Sequence, residues 1–266
     1  MSVTRILTIN VVMLCLFSSC ERETIPVEND ELLRKVVSDC GDSILYTFFQ
    51  YDTSKRLEAI KDSNNNGDVS NTSIEYNVQG KPISFKTIYY SLYRNSTGSS
   101  VDSLVYENLK VIKKLFRLSS STSYQKTNSY TYDLRGRLIC DSIYYGYAPF
   151  ELYGYDKFFY NDNDDVIQVK RYSNFYGPMI NETEITASHN SYLTPYSDLG
   201  TILYFVRNET SMLSKHNRTQ SVYHYPSTVV KQDFVYEYEN GRPRKMISSQ
   251  DTGGPFGVAT VNFFYK

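Results

Sequence analysis

The chain has 266 residues and a formal net charge of -1, from 28 basic and 29 acidic side chains that are interspersed along it. That balance leaves no basic face for nucleic acid. The 26 Tyr and 14 Phe, with no Trp and with β-branched residues between turn signals, favour strands.

Residues 1–20, MSVTRILTINVVMLCLFSSC, carry Arg5, an apolar run from Ile6 to Phe17, and small residues before a cysteine, which is the layout of an export signal. The run is shorter than the roughly 20 residues a membrane-spanning helix needs. Leu16, Phe17, Ser18, Ser19 and Cys20 resemble the lipobox of bacterial lipoproteins. That resemblance implies a signal peptide over 1–19, lipidation of Cys20, and a membrane partner reached through the lipid. A plain secretory signal with an incidental Cys20 is the other reading. Removal of the signal would take Cys15 with it and leave Cys40 and Cys140 as the other thiols, which could form one disulfide in an oxidising compartment.

Residues 20–40 contain Glu21, Glu23, Glu28, Asp30 and Glu31, a polar acidic stretch suited to a solvated tether, and Glu31 to Ser38 is the one segment that could make a short turn of helix. The folded body is expected over 41–266 as a single domain.

Within that body a pattern recurs: FQYDTSKRLEAI from Phe49, IEYNVQGKPISF from Ile74, YTYDLRGRLICDS from Tyr130, FFYNDNDDVIQV from Phe158 and YEYENGRPRKMI from Tyr236. The key tyrosines are Tyr51, Tyr76, Tyr106, Tyr132, Tyr160 and Tyr238, spaced by 25, 30, 26, 28 and 78, the last being three times 26. A period near 26 fits one antiparallel hairpin of two strands and two turns. Asp133 can bond the backbone of the turn it opens, and Gly136 supplies a positive φ. The fold class is therefore all-β, an antiparallel meander of consecutive hairpins. About 15 strands result, more than an open sheet tolerates, so the sheet should curl into a large barrel or a half-closed shell. Residues 176–231 fit the period least and are expected to hold longer loops and any special site.

The YDLRGRL and YDTSKRL segments resemble the Tyr-Asp repeat of bacterial shell and toxin-encasing proteins. With the lipobox, the length and the aromatic periods, the chain also resembles an uncharacterised family of gut-bacterial lipoproteins, a domain of unknown function with a porin-like fold. The likeness covers most of 42–266 and implies a porin-like barrel, with no catalytic residue to carry over. A membrane-embedded barrel conflicts with VIKKLFRL, where Lys113 and Arg117 share one strand face and Lys114 lies on the other.

Candidate chemistry is sparse. Asp62, Asn64 and Asn66 match the first half of a calcium loop, but Ser73 stands where a bidentate Glu belongs, and an Asn-Gly-rich hairpin turn accounts for the same residues. Asn161 to Asp165 concentrate carboxylates in a turn slot. His189, His216 and His224 have no paired zinc spacing. No nucleophile elbow, phosphate loop or Cys-His arrangement occurs, so neither an enzyme nor a cofactor is expected. Ser43, Ser103 and Ser142 follow Asp and precede an aliphatic residue, a triplet that resembles the O-glycosylation acceptor of some anaerobic Gram-negative bacteria. The resulting expectation is an outer-membrane lipoprotein, periplasmic or surface-exposed, that binds an unknown envelope protein or glycan without catalysis. A structural subunit of an outer-membrane assembly is the alternative, and a glycan hydrolase the third reading.

Overall fold

The computed structural model describes residues 31–146, 149–174, 179–251 and 258–266. The export signal, Cys20 and the tether up to residue 30 lie outside the described residues. Sixteen strands follow one another: β1 (Leu33–Asp39), β2 (Ile44–Tyr51), β3 (Leu57–Asn64), β4 (Val69–Tyr76), β5 (Pro82–Ser91), β6 (Ser96–Glu107), β7 (Lys110–Leu118) and β8 (Lys126–Tyr132) make the first half. The second half is β9 (Leu138–Tyr145), β10 (Glu151–Tyr160), β11 (Val166–Ser173), β12 (Ile180–Leu193), β13 (His216–Tyr225), β14 (Thr228–Glu239), β15 (Arg242–Asp251) and β16 (Val258–Tyr265). Every strand is antiparallel to its sequence neighbours, and β16 pairs with β1, so the sheet closes as a barrel.

The recurrent tyrosine explains this closure. Each is the last or next-to-last residue of an even strand and pairs with the first or second residue of the next: Tyr51 with Leu57, Tyr76 with Pro82, Tyr106 with Val111, Tyr132 with Leu138, Tyr160 with Val166 and Tyr238 with Pro243. In every case the following residue is an extra one, a β-bulge at Glu58, Ile83, Ile112, Ile139, Ile167 and Arg244, which increases the local twist that a barrel requires. The hydroxyl then reaches back to the start of the preceding odd strand. Tyr76 donates to the Leu57 carbonyl at 2.6 Å, Tyr106 to Pro82 at 2.6 Å, Tyr132 to Val111 at 2.7 Å and Tyr160 to Leu138 at 2.8 Å. Three consecutive strands, an even one and the odd strand on each side of it, are thus tied by one side chain.

The basic residue of the repeat covers the same ring. Arg56 lies over Tyr76, Lys81 over Tyr106, Lys110 over Tyr132 and Arg137 over Tyr160, at cation–π distance. Asp52 and Asp133 fix that residue from behind: each accepts from the backbone N–H and the Nε of the arginine four positions on. The left-handed turn position is Gly136 (φ 84°) in one copy and Lys55 (φ 62°) and Asp164 (φ 65°) in others, so glycine is favoured there without being obligatory. Tyr265 supplies a further copy. It pairs with Leu33 across the closing seam, donates to the Pro243 carbonyl at 3.1 Å, and lies under Arg242. Two backbone bonds between Leu32 and Lys266 stand in for the covalent turn.

Three expectations are corrected here. Residues Glu31 to Ser38 are not helical: Leu33–Asp39 is the strand that closes the barrel, pairing on both edges, so the folded body begins inside the stretch assigned to the tether. The 78-residue interval from Tyr160 to Tyr238 holds two hairpins and an insertion between β12 and β13, not three periods. Cys40 and Cys140 are free thiols. Cys40 follows β1, and β9 lies eight strands from β1 by either route. Sixteen strands enclose a barrel of order 30 Å across, far beyond the roughly 7 Å a disulfide spans.

Candidate functional site

The insertion between β12 and β13 folds into the lumen. It contains a short 3-10 turn (Ser197–Leu199), helix α1 (Gly200–Arg207) and a second 3-10 turn (Thr210–Leu213). The sequence TILYF reads as strand, because β-branched and aromatic residues are poor helix formers. Inside the barrel no strand edge is free to pair with it, so its backbone groups must be satisfied within the segment, and it winds into a helix. Leu203, Tyr204 and Phe205 are 0%, 1% and 5% exposed, so the helix is buried around much of its girth. Asn208 ends it in the left-handed conformation, its N–H bonding the Tyr204 carbonyl at 2.7 Å.

Side chains from around the wall hold this plug. The buried Lys114 of β7 donates to the Phe205 carbonyl at 2.8 Å and to Asn208 Oδ1 at 3.0 Å, placing a cation at the helix C-terminus. Tyr204 donates to Asp141 Oδ2 of β9 at 2.7 Å, and Asn128 of β8 donates to the other oxygen at 2.8 Å. Arg207 donates to Asp62 of β3 at 2.7 Å. Phe205 packs on Tyr130, Tyr204 on Phe158, and Tyr196 on Phe263. Burial pushes the carboxyls of Asp102 and Asp141 upward, and Lys114 draws both back down. The insertion also meets the wall where β11 begins: Ser214 Oγ accepts from the Val166 N–H at 3.1 Å.

Between plug and wall, bounded by β1, β2 and β13 to β16, lies a cavity of about 350 Å³. Its aromatic lining comes from Phe49, Tyr196, Tyr223, Phe234, Tyr236 and Phe263. Four charged or titratable residues also face it. Arg207 is held by Asp62. Glu209 is the single carboxylate of the described lining, its pKa pushed up by burial. Its solitude leaves no carboxylate pair there for glycoside hydrolysis. His216 Nδ1 sits 3.0 Å from Asp165 Oδ2. Arg218 is sunk in the wall: Nε and Nη2 have neither solvent access nor a hydrogen-bond partner, and Nη1 donates to Ser221 Oγ at 3.3 Å.

The residues singled out in the sequence fall as follows. His216 lines the cavity, and Asp62 reaches it through Arg207. His189 pairs with Arg218 across β12 and β13; both ring nitrogens are buried without partners, and burial pushes its pKa down to about 4. His224 lies near the far end of β13, opposite Glu184 and Val229. The calcium-like set does not converge. Asp62 accepts from Thr47, Ser70 and Arg207, whereas Asn64 Oδ1 accepts from the Asn66 and Asp68 N–H groups and so caps its own turn. Asn161 does the same for Asn163 and Asp165. No group of three His, Cys, Asp or Glu side chains gathers among the described residues. Ser43 lies in an exposed turn; Ser103 and Ser142 are mid-strand, while the neighbouring Asp141 points inward to Tyr204.

No protein-family model and no curated protein sequence matches the chain. Solved structures do. A porin-like protein from Bacteroides uniformis is 12% identical with a TM-score of 0.55, over 88% of this chain and 96% of its own. A porin-like protein from Bacteroides vulgatus is 10% identical with a TM-score of 0.44, over 89% and 99%. At such identity the first likeness establishes a shared porin-like barrel fold. The chain is thus a closed, plugged β-barrel of porin-like architecture.

Proposed function

We propose that this chain is a cell-envelope lipoprotein, anchored through lipid on Cys20, whose barrel stands in water and binds a small molecule in its lumen without catalysis. The observation that carries the binding reading is the cavity of about 350 Å³, within the size range of small-molecule sites, enclosed by aromatic side chains and a fixed plug. The outer surface supports a barrel in water. Lys61 faces out between the inward Ile60 and Asp62. The bulge at Ile112 turns both Val111 and Lys114 inward and leaves Lys113 outside. Lys170 and Gln168 bond Glu184, Lys245 bonds Glu237, and Gln220 bonds Asp233 on the same exterior. A basic side chain facing lipid near the midplane costs about 2–4 kcal/mol, and these are spread around the wall. The likeness to porin-like proteins of Bacteroides supports an envelope setting.

Two measurements test this. The full chain, expressed in a Gram-negative host, should partition into detergent phase and carry a diacylglycerol mass on Cys20, while Cys20→Ser moves it to the aqueous phase. A Met246→Trp variant, which fills the cavity from its wall, should abolish ligand-induced thermal shifts in a small-molecule screen while preserving the far-UV spectrum. Shifts that survive this substitution would place binding elsewhere. A body that needs detergent even without the lipid would contradict a barrel standing in water.

A further inference from the structure

One rim of the barrel carries apolar side chains that the fold itself does not use. Even strands end and odd strands begin there, so it is the rim of the repeat turns, and the chain enters β1 from the same rim. Turn positions ordinarily take Gly, Asn, Asp or Ser. Three consecutive turns of this rim, β4–β5, β6–β7 and β8–β9, instead present Val78, Leu109 and Leu134; Val78 and Leu134 are fully exposed and Leu109 is 77% exposed. Leu109 has φ 71°, a left-handed conformation that suits glycine or asparagine and penalises leucine. Single exposed apolar residues need no explanation, but these recur every second strand, about 10 Å apart along one arc.

Basic side chains surround them. The four turns from β2–β3 to β8–β9 hold six, Lys55, Arg56, Lys81, Lys110, Arg135 and Arg137, against the three carboxylates Asp52, Glu107 and Asp133. Lys81 and Lys110 lie over tyrosine rings, which leave their charge uncancelled. Asp164 of the next turn pairs with Arg135 and Arg137 and ends the arc. The opposite rim differs: Asp39, Asp42 and Asp68 stand around its first two turns, and its exposed Leu92 and Tyr93 share a single turn.

We propose that this arc of the rim docks on an anionic lipid surface, with Val78, Leu109 and Leu134 entering the headgroup layer and the basic side chains meeting lipid phosphates, while the wall stays in water. This rests on the reading of Cys20 as the anchor, and adds to it a docking face and an orientation. Ten residues, 21–30, separate Cys20 from Glu31 and span at most about 35 Å. They leave from the docking rim and so hold it near the bilayer. Turning the opposite rim to the lipid would use most of that reach to climb a wall of about 25 Å. Apolar insertion and attraction to anionic lipid add in such surfaces, each Lys or Arg near the membrane contributing about fivefold in affinity.

The chain contains no Trp, so one introduced at a turn tip reports its own surroundings. The test uses the full chain, acylated in a Gram-negative host and reconstituted in vesicles of equal parts phosphatidylethanolamine and phosphatidylglycerol with brominated acyl chains. Leu134→Trp emission should shift to shorter wavelength and be quenched at least about twofold, as insertion to the acyl boundary requires. Tyr93→Trp, on the opposite rim, should do neither. Adding Val78→Ser and Leu109→Asn to Leu134→Trp should reduce the quenching without lowering the melting temperature, because both side chains are exposed and the asparagine suits the left-handed turn. Replacing phosphatidylglycerol by phosphatidylcholine should also reduce it; full quenching there would overturn the anionic assignment. Quenching at neither position in the acylated chain would overturn the docking, and equal quenching at both would overturn it in favour of a barrel sunk in the bilayer. Emission already shifted before lipid is added would show the tips covered by the acidic tether or a second copy, and would overturn lipid as the occupant. Mass spectrometry of the same sample reads the anchor separately. An unacylated chain still quenched on added vesicles would overturn the anchor and keep the rim, and an unacylated, unquenched one would overturn both.

Discussion

Replacing Lys114 by Met removes the buried wall ammonium that holds the plug while keeping the length of the side chain. Two acceptors lose their donor, the Phe205 carbonyl at 2.8 Å and Asn208 Oδ1 at 3.0 Å, and Asp102 and Asp141 lose the charge that offsets their burial. A buried acceptor left unpaired costs about 1–3 kcal/mol, and breaking a buried charge network from one side about 3–5 kcal/mol. The variant is relieved of desolvating the ammonium, whose pKa burial pushes down. A net loss of about 3 kcal/mol at pH 7 follows, several degrees in melting temperature for a chain of this size. The pH dependence has a definite sign. Without Lys114 the folded carboxyls bind protons above their unfolded range, so the deficit should shrink as pH falls from 7 toward 5. Urea unfolding at several pH values reads both, and a second change, Asp141→Asn, should be less harmful in the Lys114→Met background than alone. A loss below about 1 kcal/mol, or a deficit that grows as pH falls, would refute the assignment of Lys114 as the plug's anchor.

Removing the hydroxyl in Tyr132→Phe should cost about 1 kcal/mol, the net worth of one hydrogen bond, and the same change at Tyr76 or Tyr160 should match it in chemical denaturation. The neutral His189 predicts acid sensitivity: a histidine whose folded pKa is near 4 rather than 6.5 withdraws stability as pH falls through that interval. Raised carboxyls such as Glu209 work the other way, so the readout is the difference between wild type and His189→Asn, whose melting temperature should fall less between pH 6.5 and 4. Because Tyr265 repeats the tyrosine contacts at the seam, a circular permutant that joins residue 266 to residue 32 through an Asp-x-x-Gly turn and opens at Ser121 should fold with the wild-type circular dichroism spectrum.

The hairpin architecture was legible because turn chemistry and tyrosine spacing are local. Asp52, Asn77, Asp133 and Asn161 each open a turn that their own side chain stabilises. The bulges were not legible. An extra residue such as Ile112 shifts the inward face by one position, so VIKKLFRL could not be sorted into a wet and a lumenal side from alternation alone. The helix was missed for a different reason. GTILYFVR has strand-like residues, and only enclosure by the wall makes a helix its best option. The reverse holds for Leu33–Asp39, which two neighbouring strands draw into the sheet. His216 and Asp62 were named from the sequence without a site to belong to. Arg218 was not, because its lack of a partner is a property of the closed barrel. A basic residue in a strand of mixed polarity, HNRTQSVYHY, gives no local sign of being buried.

The central claim is that the one interruption of the repeat lies inside the barrel and shapes the cavity. Amide hydrogen exchange of residues 200–207, followed by mass spectrometry in the chain lacking its first 20 residues, tests it most directly. Enclosure predicts that these amides exchange as slowly as those of β9, in the global-opening regime, and that Lys114→Met accelerates them selectively. Exchange within seconds, as in an exposed loop, would contradict the plug and with it the cavity and its ligand.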